Sequence, residues 1–295
     1  MGSSNQPLPT QQSAAIGCSI VGYNFANWTF SEALRSMADI GICGVETHCP
    51  HSMRQNGGAG MARMLRNYEL MPLTYLTGGY GIDLDVGLFA SVDKPDRLRA
   101  IQAYDRELAL ASDLGFPAMI VFLDLSPTQT DHLSGDRLRA AETLGVVAEM
   151  GRQRGVKIVV ETYSGSLAYD AQSFLSIREA AGSANIYANV DPSNYQVVGA
   201  DVVASIHQLG DLVAGVHLKD VLEGTYEQPR WAPPGSGSVN WANVISALNH
   251  IGYGGAMVVE YEAGISGAFP IDAERGARLS ADYIRGICQE VDGEH

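Results

Sequence analysis

Hydrophobic and polar positions along the chain switch repeatedly between two periods. Short β-branched runs of strand character are followed by longer stretches in which apolar residues recur every three or four positions. The first run is Ile16 to Val21, and helical periodicity follows from Thr29 to Ile40. Cys43 to Thr47 reads as a strand and Ala59 to Tyr68 as a helix. Pro72 to Leu76 is strand-like and leads into Gly78-Gly79-Tyr80-Gly81. A long helix is predicted from Pro95, a residue suited to the first turn, to Leu114. Ala118 to Leu123 is a strand, and Gly135 to Arg154 is a helix closed by Gly155. Four more strands follow at Ile158 to Glu161, Ile186 to Asp191, Val213 to His217 and Ala256 to Glu260. Helical patterns separate them at Ala171 to Ala181, Asp201 to Leu209 and Trp241 to Ile251, and a last helix spans Asp272 to Cys288.

Strands alternating with helices imply parallel pairing, and eight such units with no break in composition predict a closed (β/α)₈ barrel. An open doubly wound sheet fits less well, because no GxGxxG turn follows the first strand. The barrel is expected to occupy residues 14–290 as one domain. Residues 1–13 are polar, lack the basic and apolar regions of a signal peptide, and read as a flexible tail.

A barrel of this kind carries its chemistry at the C-terminal ends of its strands. The last four strands end in Glu161, Asp191, His217 and Glu260. Adjacent strands and two-residue alternation bring four such side chains to one place inside the barrel mouth. Three carboxylates and an imidazole form an oxygen-rich set that suits Mn²⁺, Mg²⁺ or Co²⁺ better than a thiolate-favouring structural zinc site. Alternatively, each carboxylate caps the next helix or forms a salt bridge. Lys219 shares parity with His217 and points inward, either to hold a substrate oxygen or to pair with Asp191 or Glu161. Glu46 and His48 share a face after the second strand. His48 is a candidate general acid or base, or a polar loop residue. Asp124, after the fourth strand, is also a candidate. Trp28, Tyr80, Phe89 and Trp231 either stack on a bound ring or pack the core. His132, His207 and His250 read as solvated.

Composition narrows the partners. A net charge of -14 argues against nucleic acid or an anionic membrane. Cys18, Cys43, Cys49 and Cys288 show no CxxC spacing, so they read as reduced thiols of a cytoplasmic protein. No run of about 18 apolar residues occurs.

Several segments together are similar to the sugar phosphate isomerase/epimerase superfamily, the xylose isomerase-like barrels. They are Val160-Glu161, Asn189-Val190-Asp191-Pro192-Ser193-Asn194, Val216-His217-Leu218-Lys219-Asp220, and Gly252-Tyr253-Gly254-Gly255 leading to Val258-Val259-Glu260-Tyr261-Glu262. Pro234-Gly235-Ser236-Gly237-Ser238-Val239-Asn240-Trp241 is similar to the family's Gly-rich loop. The resemblance extends from about Ile16 to Cys288. It implies that Glu161, Asp191, His217 and Glu260 bind one divalent metal, Mn²⁺ by preference. It also implies that Glu161 and Glu260 move protons through an enediolate of a sugar or oxo-sugar, as in isomerases and epimerases. Lys219 and His48 join them as catalytic candidates. Asn194, Glu46 and Trp231 are the substrate-binding candidates.

Two positions depart from the ketose 3-epimerase pattern. Asn194 stands where those enzymes carry a histidine, and Glu223 lies where they place an arginine. Relatives that eliminate from 3-oxo-glycosides or inososes, including C-glycoside deglycosidases, offer the alternative of a lyase, with His48 as the added base. A non-catalytic sugar-binding subunit is a further alternative. Endonuclease IV fits poorly, since its additional His and Asp ligands are missing and the charge is wrong for DNA. The expected partner is a small carbohydrate. The expected assembly is a homo-oligomer, with a heteromer containing a small second subunit as the alternative.

Overall fold

A computed structural model describes residues 15–23, 27–54, 57–77, 89–123, 133–225, 227–262, 269 and 271–293. Its central feature is a ring of eight parallel strands. These begin with β1 (Ile16–Ser19), β2 (Gly44–Thr47), β3 (Met71–Tyr75) and β4 (Ala118–Val121). β5 (Lys157–Glu161), β6 (Ile186–Val190) and β7 (Val213–Leu218) follow. A small antiparallel pair, β8 (Asp220–Val221) and β9 (Trp231–Ala232), stands apart from the ring. β10 (Met257–Val259) completes it by pairing with both β7 and β1. Closure leaves the ring without an unpaired edge. The architecture is the TIM barrel expected from the alternating periods.

Helices cover the outside: α1 (Phe30–Ile40), α2 (Ala59–Asn67), α3 (Lys94–Leu114), α4 (Leu133–Arg154) and α5 (Ala171–Ala181). Then come α6 (Pro192–Val197), α7 (Val202–Leu209), α8 (Trp241–His250) and α9 (Ala273–Gly293). Local sequence explains their boundaries. The Thr29 side chain caps α1 in a reciprocal box with Glu32, and Asp170 does the same for α5 with Ser173. Gly155, with φ at +71°, turns the chain after α4 toward β5, in a conformation where a side chain would be strained. Val159, Ala188 and Val216 in the strands and Leu144, Ile206 and Leu248 in the helices belong to one buried core.

Several elements differ from the periodicity reading. β1 stops at Ser19 and passes into a 3₁₀ turn at Ile20–Gly22. α9 continues to Gly293, five residues past the expected Cys288. α6 and the β8–β9 pair were not expected. α6 holds six residues and each strand of the pair two, too few for either period to register. Phe89 belongs to the core, edge-on to Tyr104 with ring centroids 4.9 Å apart. Trp28 packs edge-on against Tyr23. Residues 1–13, Tyr80, Asp124 and His132 lie outside the described residues.

Candidate metal centre

Glu161, Asp191, His217 and Glu260 stand at the C-terminal ends of β5, β6, β7 and β10. These are consecutive in the ring, so their side chains meet. All four are buried, and each offers one ligand atom within 4.8 Å of the others. Local structure sets each orientation. Asp191 caps α6, and its Oδ1 accepts from Ser193 N at 2.9 Å, Ser193 Oγ at 2.6 Å and Asn194 N at 3.1 Å. Pro192 at the first helical position has no N–H to compete for that oxygen. Oδ2 is left buried without a hydrogen bond.

Glu46, on β2, faces His217 across the barrel, with its two oxygens 3.2 and 3.3 Å from Nε2. If Nε2–H donates to that carboxylate, the Nδ1 lone pair faces the cluster. Nδ1 lies 3.4 Å from Glu161 Oε1 and 3.2 Å from Glu260 Oε2, and it too is buried without a hydrogen bond. Two buried atoms held by ion-pair contacts alone, among three carboxylates and an imidazole, fit a divalent cation.

The electrostatics are uneven. Burial pushes the Glu161 carboxyl up to about 7, against the pull of His217. Burial raises Glu260 too, but Lys219 and His217 together bring it well below the usual carboxylate range. His217 loses charge preference through burial and regains more from Glu161, Glu260 and Glu46, so it ends well above its ordinary value. Lys219 behaves alike, with Asp191, Glu260 and Glu262 outweighing burial. Its ammonium donates to Glu260 Oε2 at 2.7 Å and Glu262 Oε2 at 2.8 Å, and lies 3.1 Å from Asp191 Oδ2.

The other expected site residues divide. Asn194 sits in α6 with Nδ2 3.4 Å from Glu161 Oε1. Trp231, on β9, presents its ring 4.7 Å from the Lys219 ammonium. Glu46 is turned to His217. His48 lies just past β2, and the charges acting on it are those of Arg54 and Glu107. Burial and Arg54 push its imidazole down to about 4. Arg54 pairs with Glu107, donates to Cys49 O at 3.1 Å, and so braces the turn after β2. Tyr75 OH donates to the same Glu107 at 2.7 Å. His207 and His250 are exposed and stack edge-on at 5.0 Å.

Three contributing residues escaped the sequence reading. Asn189 donates to Glu161 Oε2 at 2.6 Å, and the β5–β6 register pairs the two residues directly. Gly215 makes that possible, since a Cβ there would lie 2.3 Å from Asn189 Oδ1. Glu262 is two residues past Glu260, a parity signal that could have identified it. Asp220 is buried and accepts from Val221 N at 2.9 Å, Gly235 N at 3.1 Å, Val239 N at 3.0 Å and Trp241 Nε1 at 3.1 Å. It folds the Gly-rich loop beside the site.

Known proteins share this arrangement of chain. Residues 34–287 match the family described as the xylose isomerase-like TIM barrel. D-psicose 3-epimerase from Enterocloster bolteae is 22% identical over 253 residues, covering 81% of both chains. 2-Oxo-tetronate isomerase from Pectobacterium atrosepticum is 23% identical over 243 residues, covering 80% of this chain and 88% of that one. Among solved structures, an IolI protein with bound zinc has a TM-score of 0.79 at 15% identity, covering 94% of this chain and 99% of that one.

Proposed function

The chain belongs to the xylose isomerase-like TIM barrel family, and from that premise we propose that it is a divalent-metal-dependent isomerase or epimerase of a sugar or oxo-sugar. One observation carries the reading. Four buried ligand-type side chains converge from consecutive strand ends, each with one ligand atom within 4.8 Å of the others. The curated relatives, an epimerase and an isomerase, support the same class.

A bound divalent ion would supply Lewis-acid polarisation of a substrate carbonyl, acidifying the neighbouring C–H. Glu161, Asp191, His217 and Glu260 would hold it, and Mn²⁺ suits the donor set best. Glu260, kept ionised beside Lys219, takes the proton from the carbon next to the carbonyl. Glu161, on the other side of the substrate, returns a proton to the opposite face or to the adjacent carbon. β6 and β7 lie between the strands that carry the two glutamates, so the carboxylates reach the substrate from different directions. Lys219 and Asn194 hold substrate hydroxyls, and Trp231 stacks on the ring. Glu46 keeps the imidazole of His217 in one tautomer.

Solvent exchange tests this. The Mn²⁺-supplied protein, incubated in D₂O with a panel of ketoses and 3-oxo-sugars, should incorporate deuterium next to the carbonyl. Glu161→Gln and Glu260→Gln should each lower the rate by about 10²- to 10⁴-fold. Exchange at the normal rate in either variant, with metal still bound, contradicts the proton-transfer roles. Aglycone release from a 3-oxo-glucoside would instead assign elimination, with His48 as the added base.

A further inference from the structure

The pocket gathers far more negative than positive charge. Glu46, Glu161, Asp191, Glu260 and Glu262 face or border it, against His217 and Lys219. Even a divalent ion leaves the set negative once His217 is neutral. Lys219 is the one ammonium present, and it is already committed to Glu260, Glu262 and Asp191, with the Trp231 ring on another side.

Among the described residues, no other lysine or arginine stands near to answer an anionic substrate group. The chain has three lysines, and Lys157 begins β5 at the opposite end of the barrel, against the ring of Tyr187. Lys94 opens α3. Fourteen of the sixteen arginines belong to the outer helices. Of the other two, Arg54 is held by Glu107 and Cys49 O, and Arg230 is exposed between β8 and β9. The connections 78–88 and 124–132, which follow β3 and β4, contain four aspartates and neither lysine nor arginine.

We propose that the substrate is an uncharged carbohydrate, and that Glu262 enforces this choice by neutralising Lys219, the cation that an anionic group would otherwise use. The proposal rests on the carbohydrate reading of the site and narrows it. A hydroxyl both donates and accepts, so it can bond a carboxylate and the ammonium together. A phosphate or carboxylate only accepts, so away from the ion it must displace Glu262 or lie against the acidic wall. Like-charge contact at this range in a partly buried site lowers affinity by about tenfold or more. Glu262 therefore acts as a specificity-determining residue through the partner it occupies.

Calorimetric titration of the full chain supplied with Mn²⁺ tests this with matched pairs: D-fructose against D-fructose 6-phosphate, and D-glucitol against D-gluconate. The neutral member of each pair should bind at least about tenfold more tightly. Glu262→Gln, which removes one of the three carboxylates on Lys219, should narrow that gap. Equal or tighter binding of the anionic members by the wild type overturns the charge rule and leaves the carbohydrate reading standing. Discrimination that Glu262→Gln does not alter overturns the role of Glu262. Binding of none of the four removes the carbohydrate reading, and this inference with it. The wild-type pairs test the charge rule even where the variant misfolds.

Discussion

At the scale of single residues, the site depends on side chains that aim others. Glu46 faces the imidazole of His217, and both of its oxygens lie within 3.3 Å of Nε2. Outer carboxylates of this kind commonly contribute about 10- to 100-fold to metal affinity. Glu46→Ala should weaken Mn²⁺ binding by that factor in titrations against a competing chelator. Glu46→Gln, whose amide oxygen still accepts from Nε2–H, should lose less, and equal affinities in all three proteins would refute the orienting role. His48 gives a different signature. Its folded-state pKa is pushed down to about 4 by burial and Arg54, against about 6.5 when unfolded. The contribution is fully present above pH 6.5, and is lost as the pH falls through 4, because only the unfolded chain takes up the proton. The loss amounts to about 3 kcal/mol. Urea midpoints measured between pH 7 and 4 should therefore fall less steeply in His48→Gln than in the wild type.

Between strands and helices, the loop after β7 does the most for so few residues. Asp220 places one carboxylate under four donors drawn from β8, the Gly-rich loop and α8. A Cβ on Gly237 would lie 2.2 Å from its Oδ1, so the loop closes tightly on it. Asp220→Ala would leave several buried donors unpaired, at a cost of about 3 kcal/mol or more. Thermal and urea unfolding should both register that loss, and a change under about 0.5 kcal/mol would show that water replaces the carboxylate. The same loop shows what could and could not be read from sequence. The wall strands were legible because β-branched runs such as Ile158-Val159-Val160 end in a ligand-type residue, and strand period depends only on near neighbours. Asp191 was legible as a ligand-type residue at a strand end, whereas α6, which it caps, was too short to register. Asp220 and Asn189 were not legible as site residues. Their roles come from Val239, Trp241 and Glu161, which reach them only once the chain has folded. Glu262 was overlooked for another reason, since its partner Lys219 had been weighed against Asp191 and Glu161 alone.

For the whole molecule, a cation held by the cluster would couple half of the barrel wall. β5, β6, β7 and β10 each contribute one of the four side chains, so binding should draw on the stability of the entire ring rather than of one loop. Ligand that binds only the folded state adds about 2.7 kcal/mol at a hundredfold excess over Kd. The pH dependence sharpens this expectation. Without an ion, burial holds the Glu161 carboxyl near 7, above its unfolded value of about 4.5. A raised folded-state pKa contributes stability below pH 4.5 and loses it as the pH rises through 7, because ionising Glu161 adds charge to a set that only Lys219 and His217 offset. A divalent ion favours the ionised carboxylate and so reverses that penalty. Melting temperatures with EDTA and with saturating Mn²⁺ should lie close together near pH 5 and diverge as the pH approaches 8. In Glu161→Gln, which cannot ionise there, the divergence between those pH values should shrink. Parallel melting curves across the range, or no response to Mn²⁺ at any pH, would mean that the four side chains do not act together as a cation site.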